Sequence, residues 1–142
     1  MTIQIQTRQH RFQTRGKTDI IDLTERVQAE LDDCGLLEGQ VTVFAIGSTA
    51  AISIVEYEPG LVQTDIPRLL EQLTPYRFDY AHHNTWGDDN GAAHLRATLM
   101  GGSYSLPFVA GRLLLGTWQQ IIYLDFDTRP RSREVVFQFI GQ

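Results

Sequence analysis

From Thr2 to Phe12 the chain alternates, with Ile3 and Ile5 set apart by Gln4 and Gln6. A period of two places successive side chains on opposite faces, so this stretch reads as a half-buried strand. Arg15-Gly16-Lys17 reads as a turn, after which Thr18 or Asp19 can cap a helix through a side-chain oxygen. Ile20, Leu23, Val27, Leu31 and Cys34 recur at three- and four-residue intervals and share one helical face. Gly35 is placed to end that helix. Val41 to Ile46 and Ala50 to Tyr57 read as strands, separated by Gly47-Ser48. Pro59-Gly60 reads as a turn, and Asp65 to Leu73 carries a short helical pattern ended near Pro75. Residues 76–90 have no clean period. Gly91 to Met100 reads as a helix capped by Asp89 or Asn90 and stopped by Gly101-Gly102. Beyond Ser103 the pattern turns to strands: Tyr104 to Phe108, Arg112 to Leu115, Trp118 to Phe126 and Glu134 to Ile140. Val135, Phe137 and Phe139 share one face of the last.

These elements predict one domain over residues 1–142. Its class is α+β, a mainly antiparallel, sandwich-like β-sheet with two to three helices. The length of 142 residues supports a single core without staples. The lone cysteine, Cys34, excludes an internal disulfide. It lies on the apolar helix face and reads as a buried, inert thiol. Lys plus Arg total 12 against 17 Asp plus Glu, a net charge of −5. This argues against nucleic-acid binding, while leaving room for one local basic pocket. No apolar run reaches membrane-spanning length, and the opening alternation lacks a signal-peptide core, so no membrane partner and a cytoplasmic location are expected.

Chemistry-bearing residues concentrate in a few places. His83, Asp88, Asp89 and His94 fall within twelve positions at the start of a predicted helix. Imidazole with carboxylate suits a divalent metal or an acid–base pair, and a helix N-terminus favours phosphate. The plainer reading is that the aspartates cap the helix and the histidines are ordinary polar residues. If the segment is extended, His82 and His83 point to opposite sides, and at most one of them joins the site. Gly47-Ser48-Thr49 interrupts two apolar strands, either as a ligand-contacting turn or as a bulge with satisfied hydroxyls. Glu56 and Glu58 alternate onto one face and can hold Mg²⁺, with Glu56 the better placed. Trp118 can stack on a heteroaromatic ring or fill the core. Arg129, Arg131 and Arg133 stand within five positions, a phosphate site or a solvated loop.

Four segments together resemble the YjbQ-like family, UPF0047: GSTAAISIVEYEPG (47–60), HNTWGDDNGAAHLRATLMGGS (83–103), GRLLLGTWQQI (111–121) and DFDTRPRSREV (125–135). They come in the family's order. Carried across, His83, Asp89, His94, Gln119, Arg131 and Arg133 match, as do Ser48, Thr49, Ala50 and Ala51. Gly47 departs, since many members carry histidine there. A metal held by His83 and His94 then needs carboxylate or water to complete its shell.

The resemblance implies a homotrimer and a weak, secondary thiamine-phosphate synthase activity, joining a hydroxymethylpyrimidine diphosphate to a thiazole phosphate with loss of pyrophosphate. On that reading His83, Asp89 and His94 are catalytic. Ser48, Thr49, Trp118, Gln119, Arg131 and Arg133 bind substrate or phosphate. His83, His94, Asp89 and Glu56 hold a divalent metal, Mg²⁺ or Zn²⁺. The rival expectation is a non-catalytic trimeric module binding a metal or a small phosphorylated metabolite.

Overall fold

The strand β8, Arg131–Gly141, alternates buried and open positions along its length, with Val135, Phe137 and Phe139 fully enclosed. It pairs antiparallel on one side with β1, Gln4–Thr14, and on the other with β3, Gly39–Ile46. The strands β5, Ser103–Val109, and β6, Arg112–Leu113, extend this sheet beyond β3. A second sheet has the order β2-β7-β4: Asp19–Asp22, Gln120–Asp125 and Ala50–Val55, again all antiparallel. The computed structural model describes residues 2–142.

Two cores follow from the layering. Between the sheets, Val41, Val43, Phe137 and Phe139 meet Ile52, Ile121 and Tyr123, together with Val27 and Leu31 of helix α1, Thr24–Cys34. On the far side of the small sheet, Ala51, Ile122, Leu124 and Phe126 pack against helices α2, Ile66–Leu73, and α4, Gly91–Met100. A shorter helix, α3, spans Ala81–Trp86. The architecture is thus the expected α+β class, with sheet on sheet on helix. Strand β7 lies between the two cores, so its apolar residues on both faces are explained within one chain and need no subunit interface.

Several local expectations are corrected. The helical pattern from Ile20 splits, because Asp19–Asp22 pairs with β7 as an edge strand and α1 begins only at Thr24. Its opening is held by Asp22, whose Oδ1 accepts the Thr24 N–H at 2.9 Å, and not by Thr18 or Asp19. Gly35 does end α1, at φ 70°. Pro59-Gly60 is no turn but opens a helical stretch, where proline's missing N–H costs nothing. The Glu58 carboxylate accepts the N–H groups of Gly60 and Leu61 at 2.8 and 2.9 Å. A π-helical turn, Leu61–Asp65, then runs into α2. Residues 76–90, without a clean period, contain α3, and with it the helices number one more than the upper bound expected. Neither Asp89 nor Asn90 caps α4 through its side chain. Cys34 is half-buried, and burial raises its thiol pKa, against opposition from Arg8, in keeping with an inert thiol. Among the described residues no helix is long and apolar enough to cross a membrane.

One buried cation ties the helices to the small sheet. Arg96 of α4 is 1% exposed. Its Nη1 donates to Thr18 Oγ1 at 2.8 Å, its Nη2 to Glu71 Oε2 at 2.7 Å and to Thr74 O at 2.8 Å. Its guanidinium carbon lies 4.0 Å from the centre of the Tyr76 ring. Every direction from this side chain meets an acceptor or a π face, which is how a buried charge is tolerated.

A candidate functional site at the mouth of the sandwich

At one end of the sandwich, β1, β8, β4 and β7 bring polar side chains inward. Arg133 on β8 is 5% exposed and grips Asp125 on β7, Nε to Oδ2 and Nη2 to Oδ1, both at 2.7 Å. Nη2 also donates to Thr49 Oγ1 at 2.7 Å, and the Thr14 hydroxyl donates to Asp125 Oδ2. Thr49 donates to Asp127 Oδ2 at 3.3 Å, and Arg131 pairs with the same oxygen at 3.0 Å. Asp89 joins from the helical side, accepting the Thr128 hydroxyl at 3.0 Å.

Burial by itself would raise the Asp125 carboxyl pKa. The hydrogen bonds from Arg133 and Thr14 outweigh that and hold it below the usual aspartate range. The Arg133 guanidinium is correspondingly held more firmly charged, its loss of water offset by Asp125. Beneath the cluster Tyr123 is enclosed without a hydrogen-bond partner for its hydroxyl, and burial pushes its pKa up to about 12.

Arg133 Nη1 makes no hydrogen bond among the described residues. It points at Gly47, where a Cβ would stand 2.9 Å away. Gly47 has φ 138°, which a side chain rarely tolerates. A side chain at Gly47, where the family resemblance leads one to expect histidine, would therefore press on Arg133, and the neighbouring Ser48 is exposed.

The other expected site residues lie elsewhere. The segment 81–86 is helical, so the argument from alternation between His82 and His83 does not apply. His83 Nε2 accepts the Gly91 N–H at 3.0 Å. The ring beside His94 is that of His82, with centroids 4.7 Å apart, and His82 is held by Asn90 at 3.1 Å. His82 was passed over in the sequence. Only the helical geometry of α3 puts it here. His94 and His82 line a mainly apolar recess of about 290 Å³ with Tyr80 and Leu95.

Glu56, Trp118 and Gln119 sit at the opposite end of the small sheet. Val55 pairs with Gln120 there, while Ala50 pairs with Asp125 at the mouth. Five strand steps separate those ends by roughly 16 Å. Trp118 is 68% exposed, so it fills no core. Gln119 closes a tight turn, its Oε1 accepting the Gly116 N–H at 2.8 Å. Among the described residues no three His, Cys, Asp or Glu side chains gather as a metal-ligand set. With His83 Nε2 engaged and Glu56 at the far end, the four expected ligands as folded do not fit one metal ion.

The fold and this mouth define a two-sheet α+β domain with a carboxylate–arginine cluster between the sheets. A family model described as UPF0047 protein YjbQ-like matches residues 8–142. The chain belongs to that family. It is 40% identical over 125 residues to a UPF0047 protein of Archaeoglobus fulgidus, covering 88% of this chain and 94% of the relative. It is 31% identical to the UPF0047 protein YugU of Bacillus subtilis, covering 92% and 96%. A crystal structure of a YbjQ-like protein of unknown function from Sulfolobus solfataricus superposes with a TM-score of 0.92 at 29% identity, covering 99% of this chain and all of that one. A hypothetical protein of Aeropyrum pernix superposes at 0.89 with 34% identity, covering 96% and 99%.

Proposed function

We propose that this protein acts on a small phosphorylated metabolite at the mouth of the sandwich. Joining a hydroxymethylpyrimidine diphosphate to a thiazole phosphate is then a weak, secondary reaction of that site. The supporting observation is the placement of two guanidinium groups at the start of β8: Arg131, which is partly exposed, and the unbonded Nη1 of Arg133 beside Gly47-Ser48-Thr49. Guanidinium groups beside hydroxyls suit clustered phosphate oxygens. In the secondary reaction the thiazole nitrogen attacks the pyrimidine methylene carbon, the bond to the diphosphate breaks and pyrophosphate departs. Arg131 and Arg133 offset the charge that builds on the leaving group. Asp89, tethered through Thr128, borders the same end. The proposed setting is the cytoplasm.

A second reading, a non-catalytic module that binds such a metabolite, is favoured by one observation. The expected catalytic histidines are engaged elsewhere, His83 by the Gly91 N–H and His94 against His82. A homotrimer belongs to both readings. It is supported by Phe44, Ile46 and Ile5, which stand open on the outer face of the large sheet at 48%, 43% and 67% exposure.

The test is thiamine phosphate formation from the two purified precursors, comparing wild type with Arg131→Gln and His94→Ala. Turnover lost in folded Arg131→Gln supports the mouth as the site. Turnover in wild type unchanged by Arg131→Gln sinks it. No turnover, with retained binding of the diphosphate, favours the module.

A further inference from the structure

A separate cleft of about 470 Å³ opens beside the edge strand β2. It lies within the size range of small-molecule sites. One wall carries Arg15 and Lys17, and the apolar floor is formed by Ile20, Val62 and Pro67. Arg15 is paired with Asp19 at 3.1 Å, whereas Lys17 makes no ion pair among the described residues. The three charged groups sum to +1 in a chain whose net charge is −5.

Two backbone features converge on this cleft. Gly16, Lys17 and Thr18 all lie at positive φ, 79°, 53° and 66°. Two consecutive non-glycine residues there, one of them β-branched, are strained, and such strain clusters at ligand-holding loops. The strain is imposed by the Lys17 and Thr18 N–H groups, which donate to Asp127 O at 2.6 Å and Asp125 O at 2.8 Å. Thr18 has a structural reason to be there, its hydroxyl accepting from Arg96. Lys17 lines the cleft as well, and its ammonium makes no hydrogen bond or ion pair among the described residues. On the other side, Val62 and Gln63 belong to the π-helical turn. Such turns recur at functional sites because they displace side chains from the regular helical face.

We infer that this cleft binds a small organic anion with an apolar body, its phosphate or carboxylate head held by Lys17 and Arg15 and its body on Ile20, Val62 and Pro67. The site is distinct from the sandwich mouth, which lies behind the 15–18 loop.

The experiment is titration of the full chain with phenyl phosphate, benzoate and inorganic phosphate, followed by amide chemical shifts and calorimetry. Phenyl phosphate or benzoate is expected to shift the Lys17, Thr18, Val62 and Gln63 amides and to bind more tightly than inorganic phosphate. The tighter of the two aromatic probes identifies the head group. Lys17→Gln is expected to weaken binding by about tenfold or more, the worth of one charge-assisted contact, and Lys17→Arg to retain it. Lys17→Gly takes the same backbone without strain, so its melting temperature should rise while binding is lost. The inference is overturned if neither aromatic probe binds wild type, if shifts centre on residues 47–49 and 131–133, or if Lys17→Gln and Lys17→Gly bind like wild type.

Discussion

Arg133 and Asp125 face each other across the two sheets in a bidentate pair, 2.7 Å at both contacts, with both side chains withdrawn from water. Breaking such a pair leaves a charge enclosed without its partner, which costs more than the intact pair contributes. Arg133→Ala is therefore expected to destabilise the fold by about 3–5 kcal/mol. Replacing both residues together, as Arg133→Met with Asp125→Leu, should cost much less than the sum of the single changes. Urea denaturation of wild type, Arg133→Met, Asp125→Leu and the double variant checks this. Additive single effects would show that the pair is not coupled.

The same pair sets an acid dependence. The Asp125 carboxyl has a folded pKa below its ordinary 3.8. A depressed carboxylate contributes stability that is fully present above the unfolded pKa and lost as pH falls through the folded one. Stability should thus hold at neutral pH and decline below about pH 4. Asp125→Asn should flatten that acid limb. Urea midpoints measured between neutral and strongly acidic pH, with equal acid slopes in both proteins, would contradict the assignment.

A side chain at Gly47 would press on Arg133. An added Cβ would meet Arg133 Nη1 at 2.9 Å, and φ is 138°. Gly47→Ala is expected to cost about 1–3 kcal/mol through strain. Gly47→His, the residue the family resemblance leads one to expect there, should cost at least as much unless Arg133 moves. Thermal melting reads both. A Gly47→His protein as stable as wild type would show that the mouth re-forms around the larger residue.

Arg96 carries the second polar node. Arg96→Met keeps the aliphatic bulk while leaving Thr18, Glu71 and Thr74 without their donor. A loss of about 2–4 kcal/mol is expected, the range for breaking a buried network. Amide exchange should speed up in α2 and around Tyr76 before it does in β8. Uniform acceleration across the chain would mean that Arg96 does not hold the helical layer separately.

The periodic patterns located most elements because they report one-sided burial. Val135, Phe137 and Phe139 alternate, and all three are enclosed between the sheets. The spacing of Val27, Leu31 and Cys34 marked α1, and the glycines after Cys34 and Met100 marked two helix ends. The same reasoning failed at Ile20, where an apolar residue at helical spacing from Leu23 belongs to a strand. Pairing with β7 satisfies that backbone, and no local signal carries information about a partner a hundred positions away. The π-helical turn after Pro59 was equally hidden, since its backbone is set by how Val62 seats against the small sheet.

For the candidate site, the chain itself determined the ingredients: clustered arginines at 129–133, a glycine-serine-threonine break at 47–49, and histidines and aspartates at 82–94. Only the tertiary structure decided which of them meet. It seated Arg133 on Asp125, a residue the sequence left inside an apolar strand, because antiparallel register aligns the end of β7 with the start of β4 and sets both beneath β8. It sent Trp118, Gln119 and Glu56 to the opposite end for the same reason. It paired His94 with His82, since a helix turns adjacent residues by about 100° where a strand would oppose them. Periodicity is a property of neighbours along the chain, and burial follows from it. Convergence of charges depends on strand order and register, which arise only when the two sheets close on each other.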